Sequence, residues 1–118
     1  MRLRTLFAVA AALVTAASAP AAAERLDDTP RVAVISAFPP EWPALQARLS
    51  GSTQHVENGV EFLTGTIAGR EVVVFLSGIG MVNAAMNAQL ALDRFNVEAI
   101  IFSGIAGGVD PQLSLGDL

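Results

Sequence analysis

The chain has 118 residues, of which 53% are hydrophobic and 15% charged, a composition that fits one small folded domain and excludes a disordered chain. It contains no cysteine and a single histidine, His55, which excludes a disulfide framework and argues against a transition-metal site. The net charge of −4 argues against nucleic acid and against an anionic lipid surface as main partners.

Residues 1–23 have the composition of a secretory signal peptide. A basic start at residues 1–4 is followed by an apolar run at residues 6–17 and then by small residues. Ala21 and Ala23 form an A-x-A pattern, which predicts cleavage after Ala23. An uncleaved membrane anchor is the alternative, but the apolar run is shorter than the about 20 residues that a bilayer span needs. We therefore expect a periplasmic or secreted protein that has no membrane contact after cleavage.

A polar linker is predicted at residues 24–30 and a folded domain at residues 31–118. The domain opens with a nearly all-apolar run at residues 31–36, which is typical of a strand buried on both faces. A turn with two prolines, residues 37–40, precedes a helix that apolar spacing predicts over residues 41–49.

The next polar stretch, residues 51–59, predicts a turn in which His55 is a solvated loop residue. Two strands are predicted at residues 60–67 and 71–76. The tight turn between them, residues 68–70, indicates an antiparallel hairpin.

A helix at residues 81–95 and a strand at residues 97–102 follow the hairpin. Together with the strand at 71–76 they form a predicted βαβ unit, which favours an α/β fold with a right-handed crossover. Because the two strands of such a unit are parallel, their carboxyl ends open on the same side of the sheet.

Glycine-rich turns follow both strands of this unit, at residues 77–80 and 103–108. Glycines at the carboxyl ends of neighbouring parallel strands let a ligand approach the backbone, and open α/β sheets bind ligands at that edge. The alternative is a sharp chain reversal that needs only positive φ angles. The turns are not a dinucleotide fingerprint, because Asn83 stands where the third glycine belongs, and no P-loop lysine follows them.

Glu41 follows the first strand by one short turn, so its carboxylate could reach the same edge as the glycines. The alternative is an acidic residue in the first turn of a helix, where the helix dipole stabilises it.

The chain resembles the 5′-methylthioadenosine/S-adenosylhomocysteine nucleosidases of the wider purine nucleoside phosphorylase and uridine phosphorylase superfamily. The motifs that carry the resemblance cover most of residues 31–118 in order: residues 32–41, 65–72, 77–85, 104–108 and 115–118. It implies a three-layer α/β/α sandwich around a mixed central sheet, and a homodimer in the full-length form. It also implies hydrolysis of the N-glycosidic bond of a purine nucleoside, without a cofactor or metal.

The resemblance also assigns site residues. Glu41 matches the glutamate that holds the attacking water. The positions that match or adjoin the family's substrate contacts are Ala37, Phe38, Ile79, Ile105, Ala106 and Gly107.

Three departures from the family pattern qualify these expectations. The family's aspartate acid and purine-binding segment lie beyond Leu118, so we expect an N-terminal half that is inactive alone. Phosphorolysis is the alternative reaction, but Phe102 and Ser103 stand where bacterial phosphorylases have an arginine for phosphate. A non-catalytic nucleoside-binding or storage-like protein is the other alternative, because Ile105 stands where many nucleosidases have serine or threonine.

Overall fold

The computed structural model describes residues 24–105, 107–114 and 116–117. The predicted signal peptide and the predicted substrate contact Ala106 lie outside the described residues. The strands are β1 (Asp27–Ser36), β2 (Ser50–Glu57), β3 (Val60–Ile67), β4 (Arg70–Leu76) and β5 (Phe95–Ser103); the helices are α1 (Trp42–Arg48), α2 (Met81–Arg94) and a short 3-10 turn, Pro39–Glu41. No helix in the described part of the chain is long and apolar enough to cross a membrane.

The strands form one mixed sheet in the order β2-β3-β4-β1-β5. Strand β3 is antiparallel to both β2 and β4, whereas β1 is parallel to both β4 and β5. Two-residue turns join the antiparallel strands, and both residues of each turn have positive φ: Asn58 and Gly59 in the first, Ala68 and Gly69 in the second. Such turns match the right-handed twist of the strands that they connect. The predicted hairpin and the predicted mixed central sheet are confirmed.

The two faces of the sheet are covered by different segments. Helix α2 packs through Ala91 against one face, where Ile35, Phe62 and Phe75 are buried. Side chains alternate between faces along a strand, so Gly65 lies on the other face, and a Cβ added there would come within 3.0 Å of the Leu49 side chain that follows α1. The sheet is therefore the middle layer of an α/β/α arrangement.

Three phenylalanines form the centre of the core between the sheet and α2. The rings of Phe62 and Phe75 lie 4.8 Å apart, those of Phe62 and Phe95 lie 5.4 Å apart, and all three side chains are fully buried. Tilted aromatic pairs at these separations stabilise a core beyond the burial of their apolar area. This cluster ties the beginning of β5 to the hairpin β3–β4.

The predicted turn at residues 51–59 is wrong, because residues 50–57 form strand β2. His55 is correspondingly half-buried on that strand: its ring packs edge-on against Phe95 at 5.6 Å, and its Nε2 lies 3.3 Å from Thr64 Oγ1. Strand β2 is at the edge of the sheet and largely exposed to solvent, which explains its polar composition.

One element boundary and the order of the strands also differ from prediction. Strand β1 begins at Asp27, so four residues of the predicted linker 24–30 belong to the sheet. The strands before and after α2 are also not neighbours, because β1 lies between β4 and β5. The crossover through α2 therefore spans β1.

An ion cluster around the buried Arg31 fixes the beginning of β1. The guanidinium of Arg31 donates to Asp27 Oδ2 from Nε at 2.6 Å and to Glu71 Oε2 from Nη1 at 2.6 Å. Burial by itself raises the pKa of Asp27, but hydrogen bonds from Thr29 and Arg31 and the charge of the guanidinium outweigh burial and hold the pKa below its ordinary value of 3.8.

The chain is therefore expected to lose stability in acid through Asp27. A carboxyl whose pKa is lower in the folded chain than in the unfolded chain stabilises the fold above the unfolded pKa. This contribution falls as the pH drops through 3.8 towards the folded value. Urea unfolding measured between pH 6 and pH 3 should show a smaller loss of unfolding free energy in Asp27→Asn than in the wild type.

Asp28→Asn is the matched control, because the side chain of Asp28 is 91% exposed and lies next to Asp27 in the chain. It should keep the pH dependence of the wild type. An Asp27→Asn variant with an unchanged pH slope would contradict the role assigned to this ion cluster.

Candidate active site

Three parallel strands end side by side at one edge of the sheet. Ser36, the last residue of β1, is in register with Leu76 of β4 and with Ser103 of β5. The main chain continues this alignment by one residue, since the Ser77 N–H donates to the Ser36 carbonyl oxygen at 2.9 Å. The exits of β4, β1 and β5 therefore lie at one level, with the exit of β1 in the middle.

The exit of β4 is a glycine turn with two left-handed residues. Gly78 has φ of 73° and Gly80 has φ of 96°, and Gly80 is the N-terminal cap of α2. Side chains avoid this conformation, so glycine is required for the reversal. Two asparagines of α2 hold the turn: the Asn83 side chain donates to the Ile79 carbonyl and the Asn87 side chain to the Ser77 carbonyl, both at 2.8 Å.

The exit of β5 runs beside the exit of β1. A Cβ added at Gly104 would lie 4.0 Å from the backbone nitrogen of Ala37 and 3.7 Å from the ring of Phe102. Nothing lies within 4 Å of a Cβ added at Gly107 or Gly80, so the backbone there borders open space. Bare main chain is thus accessible on both sides of β1, which is the condition for close approach of a ligand.

Glu41 lies at the exit of β1. It ends the 3-10 turn Pro39–Glu41, where its N–H donates to the Phe38 carbonyl at 3.0 Å. Its half-buried side chain accepts a hydrogen bond at Oε2 from the hydroxyl of Ser36. This contact places a carboxylate between the two glycine-rich exits. Its catalytic role stays a prediction.

The other predicted contacts are distributed over the same three exits. Ala37 and Phe38 follow β1 directly, Ile79 stands between the two left-handed glycines, and Ile105 and Gly107 follow β5. Ile79 is 78% exposed, Ile105 75% and Phe38 37%. The three strand exits thus carry exposed apolar groups as well as the carboxylate of Glu41, a combination suited to a ligand with both apolar and hydroxyl groups. Their roles as substrate contacts also stay predictions.

Ser36 is the residue of this edge that the sequence analysis missed. The available signal was a hydroxyl at the end of an otherwise apolar buried strand, because a buried polar group requires a hydrogen-bond partner.

Two open grooves lie elsewhere. One of about 500 Å³ is lined by α2 and the β2–β3 turn, including Asn58, Met86 and Asp93. The other, of about 350 Å³, is lined by residues that include Arg70, Glu71 and Glu98. Within residues 24–105, 107–114 and 116–117, no group of three acidic or histidine side chains is arranged to hold a metal ion.

Comparison with known families gives the site its context. The family model of the phosphorylase superfamily matches residues 31–118. The chain belongs to the phosphorylase superfamily. The resemblance stated from the sequence motifs is thereby confirmed.

Curated relatives are 5′-methylthioadenosine/S-adenosylhomocysteine nucleosidases. That of Halalkalibacterium halodurans is 42% identical over 88 residues, which are 75% of this chain and 38% of the relative. That of Geobacillus thermodenitrificans is 44% identical over 88 residues, which are 75% of this chain and 37% of the relative. The aligned part of this chain thus spans less than two-fifths of the length of these relatives.

Solved nucleosidase structures share the fold. The enzyme of Colwellia psychrerythraea, in complex with adenine, superposes with a TM-score of 0.69 at 36% identity and covers 74% of this chain and 36% of that one. The Streptococcus pneumoniae nucleosidase, solved with a transition-state inhibitor, also has a TM-score of 0.69 at 39% identity. The match covers 74% of this chain and 38% of that one.

Proposed function

We propose that this chain supplies the water-activating side of a site that hydrolyses the N-glycosidic bond of a purine nucleoside such as 5′-methylthioadenosine or S-adenosylhomocysteine. The observation that carries the proposal is the carboxylate of Glu41 at the exit of β1, between two glycine-rich exits. The names of the relatives and the adenine bound by one solved structure support this class of substrate.

The reaction requires the chemistry that a carboxylate provides. Cleavage of a glycosidic bond passes through an oxocarbenium-like state, and a carboxylate orients and deprotonates the water that attacks the sugar. An ionised glutamate is an acceptor only, so Glu41 can take the water's proton. The apolar groups of Phe38, Ile79 and Ile105 would then lie against the sugar and the alkylthio substituent. Ala37 and Gly107 would present main chain to the nucleoside, and Ala106 stays a predicted contact.

Hydrolysis is favoured over phosphorolysis at this edge. Arginine and lysine side chains form charge-assisted hydrogen bonds with a phosphate and neutralise its charge. The described residues of the three exits, 36–41, 77–80, 103–105 and 107–108, include no arginine or lysine, and they include the anionic Glu41. The buried cation of β1, Arg31, is already paired with Asp27 and Glu71 at the opposite end of the strand.

The leaving purine also needs a proton donor. Among the described residues, the carboxylate that contacts place at this edge is Glu41, which the proposal uses for water. The resemblance matches no residue of this chain to the aspartate that protonates the purine, so we propose that the acid is not supplied by these 118 residues. For this reason the 118-residue chain alone should release no adenine above background.

A non-catalytic nucleoside-binding protein is the second candidate. The exposed Ile105 favours it, because an isoleucine offers neither a hydrogen bond nor a proton to a sugar. The two candidates differ in whether Glu41 is needed for bond cleavage or only for binding.

A chimera tests the proposal. Residues 31–118 replace the matching segment of the Halalkalibacterium halodurans nucleosidase, and adenine release from 5′-methylthioadenosine is followed by absorbance. The chimera should turn over, and Glu41→Gln should lower kcat by about 10²- to 10⁴-fold, because the amide cannot accept the proton of the water.

Glu98→Gln is the matched control, since Glu98 is exposed near the opposite end of β5 and should tolerate the change with full activity. A folded Glu41→Gln chimera as active as its parent would sink the proposal. Binding of 5′-methylthioadenosine by a folded but inactive parent chimera would favour the non-catalytic candidate.

Export and homodimer formation are proposed with this function. The composition of residues 1–23 supports export to the periplasm or the medium. The exposed side chains of Met81, Val82 and Met86 on α2 support a dimer, because they form an apolar surface next to the 500 Å³ groove. N-terminal sequencing of the protein recovered from each cell fraction tests export, and sedimentation of the full-length form tests the dimer. A product confined to the cytosol with Met1 intact would contradict export, and a full-length form that is monomeric at all concentrations would contradict the dimer.

A further inference from the structure

Ser36 is held rigidly at the centre of the candidate site. It is fully buried, it is flanked by Leu76 and Ser103 on the two neighbouring strands, and its carbonyl oxygen accepts from the Ser77 N–H at 2.9 Å. Its backbone position is therefore fixed by the neighbouring strands β4 and β5. A buried hydroxyl at such a position must be satisfied by nearby groups.

The groups around the Ser36 hydroxyl determine which acceptor receives its proton. The Phe38 N–H donates to Ser36 Oγ at 3.2 Å, which occupies a lone pair of the oxygen. The single hydroxyl proton then has two possible acceptors, the Phe38 carbonyl at 3.5 Å and Oε2 of Glu41. A hydrogen bond to a charged carboxylate is stronger than one to a neutral carbonyl at 3.5 Å, so the proton is directed to the carboxylate.

The neighbouring exit offers a direct contrast. Ser77 is also fully buried at the end of its strand, but its hydroxyl donates to the carbonyl of the next residue, Gly78, at 2.8 Å. That bond is local to the turn. The bond from Ser36 joins the end of β1 to a side chain five residues further along the chain.

We propose that Ser36 is a positioning residue for Glu41. Its hydroxyl holds Oε2 and leaves Oε1 as the oxygen that binds and deprotonates water. The inference rests on the proposed function, since it assigns Glu41 the role of water activation. A glutamate side chain has several rotatable bonds, and a displacement of about 1 Å of a reacting group can lower the rate by about 10²-fold.

The first test uses the full 118-residue chain and needs no activity. The ¹³Cδ resonance of Glu41 is measured at pH 7 in the wild type, in Ser36→Ala and in Ser36→Thr. The resonance should move in Ser36→Ala and return towards its wild-type position in Ser36→Thr, which keeps the hydroxyl. Thr64→Val is the control, because it removes a buried hydroxyl from β3 that bonds to Thr53 and not to Glu41.

The second test separates positioning from folding in the chimera described above. Ser36→Ala should lower kcat by about 10- to 100-fold with KM changed less than about two-fold, because the hydroxyl acts on the carboxylate and not on substrate binding. In a Glu41→Gln background the same change should cost nothing further, because its target is already lost. Urea midpoints show that each variant is folded in the assay. Should Ser36→Ala be too unstable, Ser36→Val against Ser36→Thr compares two side chains of one size that differ in the hydroxyl.

The two tests distinguish a failure of the role of Ser36 from a failure of the proposed function. An unmoved Glu41 resonance in Ser36→Ala, or an equal loss of kcat in the Glu41→Gln background, would overturn the role of Ser36 even if Glu41 proves essential. Full activity of the Glu41→Gln chimera would overturn the proposed function, and the positioning role with it, while the resonance would still show whether the two side chains are coupled.

Discussion

Strand β1 cannot shift along its axis without breaking hydrogen bonds to two parallel neighbours at once. Its registers with β4 and β5 bring three strand ends to one level, and the chain leaves all three ends on the same side. Everything at the candidate site follows from this alignment. The glycines after β4 and β5 flank the exit of β1, and Glu41 lies between them because it is only five residues beyond Ser36.

The same strand has different polarity at its two ends. At its beginning, Arg31 is neutralised by Asp27 and Glu71, which satisfies a buried cation and locks β1 to β4. At its end, Ser36 hydrogen-bonds a carboxylate that stays partly open to solvent. Within the described part of the chain, the ion pairs do not include Glu41, and its Oε2 is held by the Ser36 hydroxyl. That environment suits a group that must accept a proton from water.

Local patterns in the sequence predicted the elements that depend on local physics. The hairpin β3–β4 follows from two apolar runs and a glycine turn, and α2 follows from helical spacing after Gly80. Strand β2 was missed because it lies at the solvated edge of the sheet and lacks an apolar alternation. The insertion of β1 between β4 and β5 depends on pairing between distant segments, for which no local pattern carries information. The bond from Ser36 to Glu41 was missed for a related reason, since it depends on the path of the intervening 3-10 turn.

Mapping of nucleoside binding onto the backbone is the most direct test of the shared edge. The ¹⁵N-labelled 118-residue chain is titrated with 5′-methylthioadenosine, and amide chemical shifts are followed to saturation. The amide shifts of all three exits should change together with one dissociation constant, because the exits form a single surface. These are the amides of Ala37 and Phe38, of residues 78–80 and of residues 104–107. Saturable shifts confined to the groove of Asn58, Met86 and Asp93, or to one exit alone, would contradict a nucleoside site built on the three strand ends.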